Sequence, residues 1–142
     1  SLSDPWCVDR HRADLRHYVK NHVNILFANE DEAISLVETD HPKSVQILAD
    51  LVDEAVITRG PLGAVICHAG QKCSVEANPQ GPVIDTTGAG DLFAAGYLFG
   101  RTHDYDAKTS GRIASMLAGE VISHIGARPE ADLKALIKPI VG

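Results

Sequence analysis

Residues 23–28, Val-Asn-Ile-Leu-Phe-Ala, make a nearly unbroken apolar run that stops at Asn29 and gives way at once to Glu30, Asp31 and Glu32. A run of this kind suits a parallel strand covered on both faces. Acids directly after it suit the first turn of a helix, where the macrodipole favours negative charge. The pattern therefore predicts a strand over Val23–Ala28 handing directly into a helix over Glu30–Val37. A chain built on such units folds as an α/β layered structure, with a Rossmann-like, largely parallel sheet flanked by helices.

The rest of the sequence fits that frame. Leu15, Tyr18 and Val19 predict a helix over Asp9–Asn21, and Val45, Leu48, Ala49 and Val52 fall at i, i+3, i+4 and i+7 after Pro42. Ala55–Thr58 is a predicted strand, followed by the turn Arg59–Gly63. Strands at Ala64–His68 and Cys73–Ala77 form a predicted hairpin around Ala69-Gly70-Gln71-Lys72. Residues 78–82, Asn-Pro-Gln-Gly-Pro, are loop. Helices are expected at Gly90–Gly100, Ala107–His124 and Ala131–Lys138, with Ile113, Leu117, Val121 and Ile125 as an i+4 packing row in the second. No linker or repeat divides the chain, so residues 1–142 are expected to form one domain. Ligands in such folds gather beyond the carboxyl ends of the strands, where Asn29, Thr58 and Asp85 are expected to emerge.

Composition excludes several functions. The formal net charge of −6 argues against a nucleic-acid partner, which calls for a basic face. No apolar run approaches a bilayer span, and no leader pattern opens the chain, so the expectation is a cytoplasmic protein without a membrane partner. Cys7, Cys67 and Cys73 are odd in number and not spaced for a metal, which favours reduced thiols. The seven histidines are scattered and offer no ligand set.

The chemistry concentrates in residues 85–98, Asp-Thr-Thr-Gly-Ala-Gly-Asp-Leu-Phe-Ala-Ala-Gly-Tyr-Leu. The backbone N–H groups of Gly88, Ala89 and Gly90 can converge on an anion at the positive end of the following helix. Asp91 stands in the first turn, where it can take a proton from an attacking hydroxyl. No Gly-Lys-Ser/Thr follows, so this is not a P-loop. The third glycine of a dinucleotide fingerprint is also missing.

This run resembles the second signature of the ribokinase-like (PfkB) carbohydrate kinase family, and the resemblance extends over nearly the whole chain as the carboxyl-terminal part of that fold. It implies that Gly88, Ala89 and Gly90 form an anion hole for the transferring phosphoryl group and that Asp91 is the catalytic base. Asn29 and Glu32 taken alone read first as a capped helix with a solvated acidic face. They match the family's Asn-x-x-Glu, which implies that they organise magnesium through water. Thr58, Gly60 and Gly63 form a Thr-x-Gly-x-x-Gly that spacing alone leaves open between a tight turn and a close backbone approach to a ligand; the resemblance implies contact with ATP, with Arg59 a weaker phosphate candidate. Asp85 lies six residues before the base. Many family members hold a monovalent cation with the matching aspartate and carbonyls from a segment like Val121–Gly126, so potassium is left as an option; the match weakens at Glu130.

Residues 2–12, 25–33 and 122–129 are similar to bacterial adenosine kinase-type members. The implied activity is ATP-dependent phosphorylation of a sugar or nucleoside hydroxyl, with adenosine the leading acceptor. The family's amino-terminal half, with its first signature, much of the acceptor pocket and the lid, has no counterpart here. A missing segment or a second chain is therefore expected to complete the cleft. The alternative is a non-catalytic nucleotide-binding or regulatory module derived from such a kinase.

Overall fold

A computed structural model describes residues 1–2 and 4–142. Ser3, within the first of the adenosine kinase-like runs, lies outside the described residues. Two compact units are present, residues 1–60 with 65–73 and residues 61–64 with 74–142.

In the first unit, helix α1 (Pro5–His22) starts four residues before the expected Asp9. The reason is Asp4, whose carboxylate accepts the Cys7 N–H at 2.8 Å while Pro5 takes the first helical position. Strand β1 (Ile25–Asn29) passes directly into α2 (Glu30–Val37), whose bounds match the expectation. Helix α3 (His41–Leu51) is capped by Asp40, and β2 (Glu54–Thr58) returns to the sheet. Leu26, Leu36, Val45, Leu48 and Ile57 are buried in one core with Val8 and Val19 of α1. Arg12 clamps α1 to the end of α2, donating from Nε to the Ser35 carbonyl at 2.6 Å and pairing with Glu38 at 2.9 Å.

The sheet order is β1-β2-β3-β4, with β3 at Ala64–His68 and β4 at Gln71–Val75. β1 and β2 pair in parallel, with Ile25 opposite Glu54 and Asn29 opposite Thr58. The links from β2 to β3 and from β3 to β4 are too short for a parallel crossover, so the parallel character is confined to the first pair. β4 begins two residues earlier than expected. Ala69 (φ 50°) and Gly70 (φ 72°) make a two-residue turn of the kind that matches strand twist, rather than the four-residue loop the sequence suggested.

The second unit is built on α4 (Ala89–Thr102), α5 (Ala107–Val121) and α6 (Leu133–Val141). The small residues of α4 allow a close crossing. A Cβ added at Gly96 would lie 2.8 Å from the Ala114 Cα, and one at Gly100 would lie 2.5 Å from the Ser110 hydroxyl oxygen. Ile113 and Leu117 pack with Ile137 of α6. Val121 is buried as expected, but Ile125 is 82% exposed and falls outside the packing row. Helix α5 ends at Val121, with Ile122 as its cap, so the i+4 projection no longer holds at residue 125. Helix α6 runs past the expected end at Lys138 to Val141, with Pro139 inside its last turn.

Candidate active site

In the first unit, the parallel register sets Asn29 and Thr58 side by side at the carboxyl ends of β1 and β2. That is where α/β sheets hold ligands. Asn29 and Glu32 form a reciprocal capping box. Glu32 N–H donates to Asn29 Oδ1 at 2.8 Å, and the Glu32 carboxylate accepts from Asn29 N at 3.0 Å and from Asn29 Nδ2 at 3.1 Å. Asn29 is exposed and Glu32 only 5% exposed. Both Glu32 oxygens are thus engaged, each with a further lone pair. Among the described residues no group of three or more His, Cys, Asp or Glu side chains could hold a metal ion directly. Glu30 stands 3.4 Å from His41, and Asp31 is exposed.

Thr58 Oγ1 donates to the Ala28 carbonyl at 3.5 Å, tying the two strand ends together. Gly60 has φ +53° and open space where a Cβ would be, so backbone can meet a ligand there. Gly63, in the second unit, differs. An added Cβ would fall 2.0 Å from the Val75 carbonyl oxygen, so close packing accounts for glycine at this position.

The second unit carries the glycine turn. Gly88 (φ 82°) is the N-cap of α4 and gives no side-chain cap. The first intrahelical bond runs from Leu92 N–H to the Gly88 carbonyl at 2.9 Å, and Ala89 N–H is spent on the Thr86 carbonyl at 3.2 Å. Among the described residues the N–H groups of Gly90 and Asp91, in the first turn, have no intrahelical partner and lie at the positive helix end. Nothing lies within 4 Å of a Cβ built on Gly90. The Asp91 side chain is exposed, with room for an incoming hydroxyl. The Asp91 amide was not anticipated from sequence; it follows from where the helix begins.

Asp85 organises the turn. Its Oδ1 accepts from Thr87 N–H at 2.9 Å and from the Thr87 hydroxyl at 2.6 Å, and its Oδ2 accepts from Gly126 N–H at 3.0 Å. Those three bonds, the Thr87 hydroxyl first, hold the Asp85 carboxyl down at about 2 from an ordinary 3.8. A depressed folded pKa gives stability that is complete above the unfolded value and is lost as pH falls through the folded one. The stability gap between the protein and an Asp85→Asn variant is therefore expected to be constant from pH 7 to pH 5 and to close toward pH 2. Urea melts across that range check it; a gap independent of pH contradicts the clamp. Gly88 is fixed from behind, since a Cβ there would lie 2.7 Å from the Ala127 Cβ.

Two buried acids, Glu54 and Glu120, escaped the sequence reading, and the second lies near the turn. Glu120, in the last turn of α5, is 4% exposed, and its Oε1 accepts from Glu130 N–H and Ala131 N–H, each at 2.9 Å. Burial pushes its carboxyl up, and the two amides outweigh that, leaving it below the usual range. His124 Nε2 stands 3.3 Å from the same oxygen. Burial pulls His124 down, but the Ile125 carbonyl and the Glu120 carboxylate prevail and raise it. The one sequence signal was an acid at a helix C-terminus, against the dipole.

No helix among the described residues is long and apolar enough to cross a membrane. The pfkB family carbohydrate kinase model matches residues 2–133. The chain is 38% identical to a probable sugar kinase from Rhizobium etli, with a TM-score of 0.94 over 97% of this chain and 42% of that one. It is 36% identical to an adenosine kinase from Sinorhizobium meliloti, with a TM-score of 0.93 over 97% of this chain and 43% of that one. A nucleoside kinase from Methanocaldococcus jannaschii is 32% identical over 108 residues, 74% of this chain and 34% of that protein. The chain thus spans well under half the length of these relatives and matches part of the ribokinase-like fold. With a family match across nearly all its residues, the chain belongs to the pfkB carbohydrate kinase family.

Proposed function

We propose that this chain is the phosphate- and nucleotide-binding part of a kinase that transfers the γ-phosphoryl group of ATP to a hydroxyl of a nucleoside or sugar, with adenosine the leading acceptor. The observation that carries the reading is the uncapped start of α4, where free amides, open space over Gly90 and an exposed Asp91 share one turn. The acceptor class is supported by the adenosine kinase and nucleoside kinase among the relatives. Because those relatives are more than twice as long, a further segment or a second chain supplies the rest of the acceptor pocket.

In this mechanism the acceptor oxygen forms a bond to the γ-phosphorus as the bond from phosphorus to the ADP oxygen breaks. The hydroxyl proton passes to the Asp91 carboxylate. The N–H groups of Gly88, Gly90 and Asp91 stabilise charge on the equatorial oxygens, in an environment preorganised for it. Thr58 and Gly60 contact the nucleotide at the strand edge, while Gly63 shapes the turn beside it. Asn29 and Glu32 would hold magnesium through water, and the ion would neutralise phosphate charge when bound with the nucleotide. Asp85 has one lone-pair direction beyond its three hydrogen bonds for a monovalent cation such as potassium.

A phosphotransfer assay from ATP to a panel of nucleosides and sugars, run beside the Asp91→Asn variant, tests the proposal. Product from the protein and almost none from the variant is the expected result. Nucleotide binding without product for any acceptor would instead support a binding or regulatory module.

A further inference from the structure

We infer that Glu120 is a positioning residue of the phosphate turn, acting through the loop of residues 122–131; its bearing on catalysis rests on the phosphotransfer reading above. The loop has no helix or strand among its residues, so a few hydrogen bonds set its path. At its far end both the Glu130 and Ala131 N–H groups converge on one oxygen of Glu120 at 2.9 Å. At its near end the Ile122 carbonyl accepts from Ile84 N–H at 2.8 Å. Between these anchors, Gly126 N–H reaches Asp85 Oδ2 at 3.0 Å, and Ala127 fills the space behind Gly88.

The loop therefore touches both residues that shape the turn, and Glu120 holds its last two residues just ahead of the Asp132 cap of α6. A buried carboxylate in the last turn of a helix opposes the dipole and gives up water. Its two backbone partners, ten and eleven residues away, are what offset that cost. Loss of Glu120 frees the loop, relaxes Asp85 and Gly88, and displaces the Gly90 and Asp91 amides from a transferring phosphoryl group.

Two readouts test this. In hydrogen exchange of the 142-residue chain, Glu120→Ala is expected to accelerate the Thr87 and Gly126 amides by about tenfold or more while the α4 and α5 interiors keep their protection. In the phosphotransfer assay the same change is expected to lower kcat by about 10²-fold, the order that a misplacement of 1 Å produces, with little change in the KM for acceptor. Glu120→Gln keeps an oxygen for both amides and should recover most of both losses. Ala131→Pro removes one donor while leaving Glu120 in place, and should show the same pattern more weakly, which guards against misfolding of the alanine variant. If only the Glu130 and Ala131 amides speed up, or if folded Ala131→Pro leaves Thr87 and Gly126 unchanged, Glu120 is a local cap and the inference is overturned. If exchange behaves as expected and the unaltered protein shows no phosphotransfer, the kinase reading fails while the coupling of Glu120 to the turn stands.

Discussion

Replacing Asp91 by Asn in the protein that carries this chain is expected to lower turnover by about 10²- to 10⁴-fold, the range supplied by a positioned general base. ATP affinity should stay near normal. The amide of Asn has nearly the shape of the carboxylate but cannot take the hydroxyl proton. The Asp91 side chain is exposed in the first turn of α4, so the change costs little stability, about 0.5 kcal/mol or less for a surface position of this kind. Backbone donors at Gly90 and Asp91 remain in place, because they belong to the helix start rather than to the side chain. Steady-state kinetics with ATP titrations check the split between kcat and affinity. Turnover within about threefold of the unaltered protein would remove Asp91 from the role of base.

Gly63→Ala is expected to produce the largest loss of stability among the glycine positions of the nucleotide motif. Two costs act in the same direction. The φ of +81° lies in the left-handed region, which costs a residue with a Cβ about 1–2 kcal/mol. The new methyl group would also stand 2.0 Å from the Val75 carbonyl oxygen and 2.8 Å from Ala77 N, both backbone atoms that cannot swing aside as a flexible side chain would. Overpacking of that kind adds about 1–3 kcal/mol. Together they imply about 3 kcal/mol, or roughly 10 °C in Tm for a chain of this size. Gly60→Ala meets open space and carries only the cost of its φ of +53°, about 1 kcal/mol. Thermal melts of the two variants should separate clearly. Equal losses would mean that the approach of Gly63 to β4 is not what requires glycine there.

The parts of the fold that sequence made legible are those set by local rules. Helix α2 has its expected bounds because Asn29 and Glu32 form the capping box and three acids occupy the first turn. The close crossing of α4 on α5 rests on Gly96 and Gly100, where a Cβ would collide with Ala114 and Ser110. Helix α4 begins at Ala89, one residue before the expected Gly90, and Asp91 in its first turn is exposed.

What stayed hidden depends on distant or unusual backbone choices. The β3–β4 turn was misplaced because Ala69 adopts a positive φ, a conformation normally signalled by Gly or Asn. Ile125 looked like core because nothing in Ile122-Ser123-His124 announces a helix end; the chain leaves α5 at Ile122 all the same. Glu120 gave no local sign of its partners, which lie across a loop. The packing requirement at Gly63 stayed hidden because a glycine required by packing and one required by a ligand are written with the same letter.

The central claim is that amides at the start of α4 grip the terminal phosphate of a nucleotide beside Asp91. Two-dimensional amide NMR of the chain during titration with ATP tests it most directly. The account predicts saturable shifts largest at Gly88, Gly90 and Asp91, and much weaker there with AMP, which lacks the terminal phosphates. Shifts of equal size with AMP and ATP, or an unmoved Gly90–Asp91 pair at saturating ATP, would contradict it.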